Sequence, residues 1–259
     1  MVEEGLMQIL EKVYEEKGFD FRQYKESSLK RRIQRRLRAT KVESYKNYVI
    51  LIDTDPKEYD KLINILLINV TEFFRDKEAF DIIEKKIESK LKIWSAGCAT
   101  GEEVYSIAIL LNETLGAKRD NFEISIYGTD IDRDNLTKAE EGVYKPEIAD
   151  GKIMDEILNK YFDMNSSLRI KDLIKRNCFF KFHDLVLNKP LDEVDLILCR
   201  NVAIYFERAL QEKIYMDFYN ALNDGGYLFL GKAETLVGPV KQRFKTVDKR
   251  WRIYQKKNY

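Results

Sequence analysis

The sequence predicts an α/β protein, a mainly parallel sheet covered by helices with an antiparallel finish, preceded by a small all-α domain. Three observations carry this. Residues 1–70 space their apolar side chains at threes and fours throughout, the helical period. From Lys92 onward, short apolar runs alternate with helical patterns, as in a sheet wrapped by crossover helices. Between the two, residues 92–106 read as a buried strand (Ile93-Trp94), a small-residue turn broken at Gly97 and Gly101, and a helix resuming at Val104, Ile107, Ala108 and Leu111. Such an edge binds nucleotide-type ligands, because glycine lets backbone approach closely and the helix N-terminus points its N–H groups there.

With 259 residues the chain can bury a sizeable core. Its 44% hydrophobic and 34% charged content describe a soluble, charge-rich globular protein, and a net charge of +1 gives no general attraction to nucleic acid or membrane. Three widely spaced cysteines, Cys98, Cys178 and Cys199, offer neither a CxxC zinc spacing nor a disulfide framework, so a reducing cytoplasm is the expected location. The first ten residues are acidic and amphipathic, unlike a signal peptide. The longest apolar run, residues 63–70, contains Asn64 and Asn69 and is too short to span a bilayer.

In chain order, Leu6, Ile9, Leu10, Val13 and Tyr14 make a first helix, ended near Gly18. Ser27-Ser28 offers an N-cap for a second, over residues 28–40, with the apolar stripe Leu29, Ile33 and Leu37. Between these lie Lys30, Arg31, Arg32, Arg35, Arg36 and Arg38, with no acid from Lys30 to Lys41. This is either a solvated basic face or a surface for an acidic partner; lacking interleaved aromatics, it suits an acidic protein better than nucleic acid. Tyr45, Tyr48, Val49, Leu51 and Ile52 give a third helix, and Asp55-Pro56 starts a fourth through Leu67. Asp76 caps a further helix through Phe80, Ile83 and Ile87.

Beyond the glycine turn, the expected helix runs to about Leu115. A second strand covers residues 122–128, closed by Asp130 and Asp132, and a helix through Leu136 and Ala139 ends at Gly142. Strands follow at residues 178–182 and 194–199, then a helix at 207–222, a turn at Asp224-Gly225-Gly226, a strand at 227–230 and a hairpin from 244–247 and 251–254. Residues 143–176 interrupt the alternation with a short helix and the polar turn Asn165-Ser166-Ser167 between strand-like pieces, an inserted subdomain. The domains expected are therefore 1–70 and 71–259, the second carrying the insertion at 143–176.

Several clusters could carry chemistry. Glu102 and Glu103 follow the turn where a phosphate loop would carry Lys-Ser/Thr, so they disfavour a pyrophosphate and suit a ligand with hydroxyls and a positive centre. Asp130, at the second strand's end, is placed either to accept ribose hydroxyls or to cap the next helix. Asn69, Thr71 and Arg75 are polar residues woven through the apolar joint Phe73-Phe74. Arg200-Asn201 and Tyr205 follow the apolar strand 194–199, where open α/β sheets bind ligands; for Tyr205 the alternative is a core aromatic with a surface hydroxyl. His183, the single histidine, has no visible base partner and is expected to be structural. No hydrolytic triad or metal-ligand spacing is present.

Four blocks in this order, Asn69-Val70-Thr71-Glu72-Phe73-Phe74-Arg75, residues 94–103, Gly128-Thr129-Asp130-Ile131-Asp132 and residues 199–206, are similar to those of the chemotaxis receptor methyltransferase (CheR) family. The resemblance covers nearly the whole chain. It implies a helical domain followed by a Rossmann-like S-adenosylmethionine-dependent methyltransferase domain with a small inserted β-subdomain. The implied activity is protein-glutamate O-methylation of chemoreceptors, with S-adenosyl-L-homocysteine as product. Implied cofactor contacts are Asn69, Thr71, Arg75, Gly97, Glu103, Asp130, Asp184, Leu185, Arg200 and Asn201.

Three positions depart from the family pattern: Asp184 where Asn is common, Val104 where Pro is usual and Ala203 where a larger residue is usual. Arg75 and Tyr205 are the candidates for positioning the substrate carboxylate or the methyl donor. The basic helix would face the acidic methylation helix of the receptor through Arg31, Arg32, Arg35 and Arg38. The turn at residues 163–168 is short and lacks the glycines that dock a receptor pentapeptide in some members, so a pentapeptide-independent member is expected; a monomer is expected as well. Alternatives are a methyltransferase for a different protein and a non-catalytic module that binds S-adenosylmethionine or S-adenosylhomocysteine.

Overall fold

The computed structural model describes residues 2–67, 71–75, 90–149 and 153–258. Asn69, Val70 and the helix expected from Asp76 through Ile87 lie outside the described residues. The chain divides into two compact units, Met1–Asn69 with Tyr205–Leu210, and Val70–Ile204 with Gln211–Tyr259.

The first unit holds α1 (Val2–Lys17), α2 (Glu26–Thr40), α3 (Tyr45–Thr54) and α4 (Pro56–Leu67). Leu6, Ile9, Leu10 and Val13 of α1, Leu29, Ile33 and Leu37 of α2, Tyr48 and Ile52 of α3, and Leu62, Ile63 and Leu66 of α4 close one core. Burying each such aliphatic side chain stabilises the unit by about 1.5–3 kcal/mol. Ser44 Oγ caps α3 by accepting the Asn47 N–H at 3.1 Å, and Asp55 Oδ1 accepts the Lys57 N–H at 3.0 Å ahead of Pro56. The expected serine cap of α2 is absent. The helix starts at Glu26 with no side-chain cap, because backbone pairing sets its entry: Tyr24 bridges Phe206 and the Lys25 N–H donates to the Tyr205 carbonyl at 2.8 Å.

In the second unit the main sheet comprises β1 (Lys90–Ala96), β2 (Glu123–Asp130), β6 (Cys178–Phe182), β7 (Val194–Cys199), β8 (Leu222–Leu230), β9 (Phe244–Asp248) and β10 (Ile253–Lys256), in the order β6-β2-β1-β7-β8-β10-β9. The first five in that order are parallel, and β10 runs antiparallel to both neighbours. Strand β8 begins at Leu222 and runs through Gly225-Gly226, where a turn was expected; a register shift against β7 between Val194 and Leu196 accommodates the extra residues. Buried on the strands, Ile93, Ile124, Ile126, Leu196, Leu198 and Phe229 pack with Val104, Ile107 and Ile109 of helix α5 (Glu102–Leu115). Helix α6 (Arg133–Glu141) follows β2, and α9 (Arg208–Ala221) follows β7.

The insertion forms a second, antiparallel sheet of β3 (Val143–Tyr144), β5 (Leu168–Ile170) and β4 (Phe162–Met164), beside α7 (Asp155–Tyr161) and the short α8 (Asp172–Lys175). All three cysteines are free. No helix among the described residues is long and apolar enough to cross a membrane.

Candidate functional site

Strand β1 lies between β2 and β7, so the chain leaves it on one side for β2 and β6 and returns on the other for β7 and β8. Open parallel sheets bind ligands outside the strand C-termini at such a reversal. Four segments meet at this edge: the glycine turn after β1, Asp130 at the end of β2, Arg200-Asn201 after β7 and Gly231 after β8.

The glycine turn folds against β2 rather than leaving its amides open. Gly97 and Cys98 donate to the Thr129 carbonyl at 2.8 and 2.9 Å, Ala99 to Asp130 Oδ2 at 2.8 Å, and Gly101 to the Cys98 carbonyl at 3.1 Å. A phosphate loop needs such amides pointing at its anion; here they serve the protein. Gly97 holds φ +80, and a Cβ there would lie 2.6 Å from Val202 Cγ2, so the β1 and β7 loops touch only because the residue is glycine.

Asp130 is half-buried, and its carboxylate accepts the Ala99 and Asp132 N–H groups at 2.8 and 2.9 Å. Burial pushes its pKa above the usual aspartate value. The helix-capping alternative belongs to its neighbour: Asp132 Oδ1 accepts the Asp134 and Asn135 N–H groups. Glu103, at the start of α5, accepts from Ser95 Oγ at 2.7 Å and from Arg200 Nη1 at 3.1 Å, leaving its side chain 15% exposed. Glu102 turns inward at 3% exposure; burial raises its pKa, while both its oxygens accept from Thr100 Oγ1.

Arg75 joins this set. Its Nε donates to Glu72 at 3.0 Å and its Nη1 to Asn201 Oδ1 at 3.1 Å, while Arg200 Nη1 donates to the Arg75 carbonyl at 3.1 Å. The preceding residue, Phe74, donates its N–H to Ser106 Oγ on α5 at 2.9 Å. Phe74 (φ 53), Ala99 (φ 48) and Asn201 (φ 63) hold left-handed backbone, in three of the four motifs. Such strain persists where surrounding structure enforces it, and it gathers at functional sites.

The other expected residues are distributed as follows. Thr71 is half-buried beside this segment in sequence. Asp184 is buried and caps its own loop, accepting the Val186 and Leu187 N–H groups at 2.7 and 3.3 Å, next to half-buried Leu185. His183 packs edge-on to Trp94 with ring centroids 5.3 Å apart, consistent with a structural residue, and burial lowers its pKa. Tyr205 belongs to the helical unit, its ring facing the Arg32 guanidinium at 4.6 Å. Arg32 also donates to the Ile65 and Leu66 carbonyls at the end of α4, so its charge is engaged inside that unit. Arg31, Arg35 and Arg38 are exposed along one stripe of α2.

Sequence reasoning missed Glu234. Its carboxylate, 3% exposed, accepts N–H groups from Gly231, Asn201, Val202 and Ile204.

The family model of the CheR methyltransferase SAM binding domain matches residues 69–253, and that of the CheR methyltransferase all-alpha domain matches residues 4–67. The chain belongs to the CheR methyltransferase family. It is 34% identical over 247 residues to a 104.1 kDa protein in the hypE 3' region of Rhodobacter capsulatus, covering 91% of this chain but only 26% of that longer protein. It is 29% identical to a chemotaxis protein methyltransferase of Listeria innocua, covering 89% of this chain and 90% of that one, and 33% identical to one of Klebsiella aerogenes, covering 86% and 80%.

The second unit is thus an S-adenosylmethionine-binding CheR methyltransferase domain, and its sheet edge fits that ligand. The Asp130 and Glu103 carboxylates are acceptors suited to the hydroxyls, amine and positive sulfonium of the cofactor, and the turn amides that would hold a phosphate are already engaged.

Proposed function

We propose that this CheR-family protein transfers the methyl group of S-adenosylmethionine to glutamate side chains of chemoreceptors, forming methyl esters. The observation that carries this reading is the convergence of Arg75, Glu103, Asp130 and Arg200-Asn201 at one sheet edge. S-adenosylmethionine, when bound, supplies a methyl group on a good leaving sulfur. A carboxylate needs little acid–base help to accept it, only in-line alignment, which accounts for a site without a catalytic histidine. Asp130 accepts the ribose hydroxyls, and Glu103, held by Ser95 and Arg200, accepts the amine. Thr71, Gly97, Asp184-Leu185 and Asn201 complete the cofactor surface, with Asn69 as a further contact. Arg75, oriented by Glu72 and Asn201, holds the incoming carboxylate in its planar fork. Tyr205 assists in positioning the substrate.

Arg31, Arg35 and Arg38 form the receptor-docking stripe. They stand on the exposed face of α2, opposite Leu29, Ile33 and Leu37, and among the described residues no carboxylate pairs with them. This stripe complements an acidic methylation helix. The inserted subdomain acts without the receptor pentapeptide: its β4–β5 connection is a tight polar turn, closed by the Asn165 N–H on the Ser167 carbonyl at 3.1 Å, with no glycine loop to receive a peptide.

The test is transfer of labelled methyl from S-adenosylmethionine to chemoreceptor membranes. The expected product is a base-labile ester that releases methanol, and Arg75→Ala lowers its formation at least about 100-fold. S-adenosylhomocysteine binding without base-labile label would mark a non-catalytic binder instead. Label on soluble proteins but not on receptors would mark a different substrate. Tight binding of a receptor-tail peptide would end the pentapeptide-independent reading.

A further inference from the structure

We infer that Glu234 is a positioning residue for methyl transfer: it holds the Arg200–Ile204 loop in the shape that aims Arg75 and closes the cofactor edge. This rests on the reading of that edge as the cofactor site. Glu234 lies four residues beyond the end of β8, and its carboxylate reaches back under the loop that follows the neighbouring strand β7. Oε2 accepts the Gly231 N–H at 2.6 Å and the Asn201 N–H at 2.8 Å; Oε1 accepts Val202 at 3.0 Å and Ile204 at 3.3 Å. Its own N–H returns to the Gly231 carbonyl at 2.8 Å.

Four backbone donors on one carboxylate make an anion nest in which the protein supplies its own anion. Glu234 is 3% exposed and Gly231 is buried, so the Gly231 amide has no solvent to replace the carboxylate, and a buried donor left unsatisfied costs about 1–3 kcal/mol. The approach is tight: a Cβ on Gly231 would lie 2.6 Å from Glu234 Oε2 and 2.9 Å from the Asn201 nitrogen, so glycine is required there.

Each group on the clamped loop acts on the site. Asn201, held at φ 63, presents Oδ1 to Arg75 Nη1 at 3.1 Å. Arg200 bridges the Arg75 carbonyl and Glu103 Oε2, both at 3.1 Å. Val202 fills the space that a side chain on residue 97 would need. Released from the carboxylate, Asn201 has no reason to stay left-handed, and Arg75 loses its orienting acceptor. Glu234 touches none of the reacting atoms, so it works entirely through Asn201, Arg200 and Val202.

Glu234→Gln preserves the shape but replaces one acceptor oxygen with an NH2 group facing backbone donors, leaving amides of the loop unsatisfied. Two readouts are needed: calorimetric titration with S-adenosylhomocysteine, and kcat and KM for receptor methylation, both well below the melting temperature of a folded variant. The expected result is a dissociation constant for S-adenosylhomocysteine raised about tenfold and kcat lowered about 100-fold, on the scale of a misplaced reacting group, with the KM for receptor unchanged. Glu234→Asp keeps two oxygens and recovers part of both losses; if Glu234→Gln does not fold, Glu234→Asp against wild type carries the same test. A folded variant with wild-type affinity and kcat, even at a lower melting temperature, makes Glu234 merely structural and overturns the inference. Failure of the wild type itself to bind S-adenosylhomocysteine would instead remove the cofactor reading beneath it.

Discussion

Arg36–Glu58 in the helical unit and Arg200–Glu103 in the α/β unit are assembled from the same parts, an arginine, a glutamate and a hydroxyl, and they are finished differently. Glu58 is 2% exposed, takes both arms of Arg36 at 2.9 and 2.6 Å, and accepts the Tyr48 hydroxyl at 2.7 Å. Those three residues sit on α2, α3 and α4, so one saturated carboxylate ties three helices. Glu103 has one described bond per oxygen, a single arm of Arg200, and an edge open to solvent. A closed ionic cluster stabilises, whereas an oriented but unsaturated one is prepared for a ligand. Their carboxylic neighbours divide likewise. Burial opposes the charge on Glu58, yet Arg36 and Tyr48 hold its carboxyl below the usual range; at the site, burial prevails and raises Asp130, Glu102 and Glu234.

The largest expected effect is on the closed cluster. Glu58→Ala leaves Arg36 and Tyr48 without their shared partner and costs about 3–5 kcal/mol of stability, the scale of a broken buried pair. Denaturant unfolding measures it, and S-adenosylhomocysteine affinity of the folded protein should be unchanged. Acidification acts in the same direction: because the Glu58 pKa is depressed, its stabilisation is present above the ordinary glutamate range and is lost as pH falls through the lowered value.

Asp130 behaves oppositely. With its pKa raised, its contribution to stability is complete below the ordinary aspartate value and is lost as pH rises through the raised one. Ligand binding needs the ionised acceptor, so S-adenosylhomocysteine affinity should begin to fall, on acidification, at a higher pH than an ordinary aspartate would give. Asp130→Asn should weaken binding by about 10- to 100-fold at neutral pH, the scale of hydrogen bonds to a charged group, and should flatten that pH profile. A profile equally steep in the variant would assign the titration elsewhere.

The smallest effect falls on neither cluster. Replacing Arg31 and Arg35 with Ala should lower receptor methylation several-fold, more at low salt than at high, with S-adenosylhomocysteine affinity and stability unchanged. Equal loss of affinity would make the α2 stripe structural.

Much of this contrast was legible in the sequence. The spacing of Leu29, Ile33 and Leu37 implied the buried face of α2, and the same period sets Arg31, Arg35 and Arg38 opposite it while Arg32 and Arg36 flank the core. That signal was available to separate the inward arginines from the outward ones, and a count of basic residues alone obscured it. Glycines at 97 and 101 with Asp130 about thirty residues on marked the strand ends, and Glu102-Glu103 disfavoured a pyrophosphate. Which aspartate caps α6 required coordinates, since the exact first residue of the helix, Arg133, decides between Asp130 and Asp132. Glu234 left no trace: its partners Asn201, Val202 and Ile204 lie about thirty residues earlier and reach it only because β7 and β8 are neighbours. Strand β8 was misread at its start because a glycine pair marks a bulge as readily as a turn.

The distinction between a closed and a ligand-ready carboxylate is tested most directly by titrating S-adenosylhomocysteine into wild type and Glu103→Gln in a calorimeter. The variant, folded and near wild-type stability, should bind about tenfold or more weakly, the loss of a charged acceptor. Unchanged affinity with a large loss of stability would contradict it, making Glu103 a second Glu58.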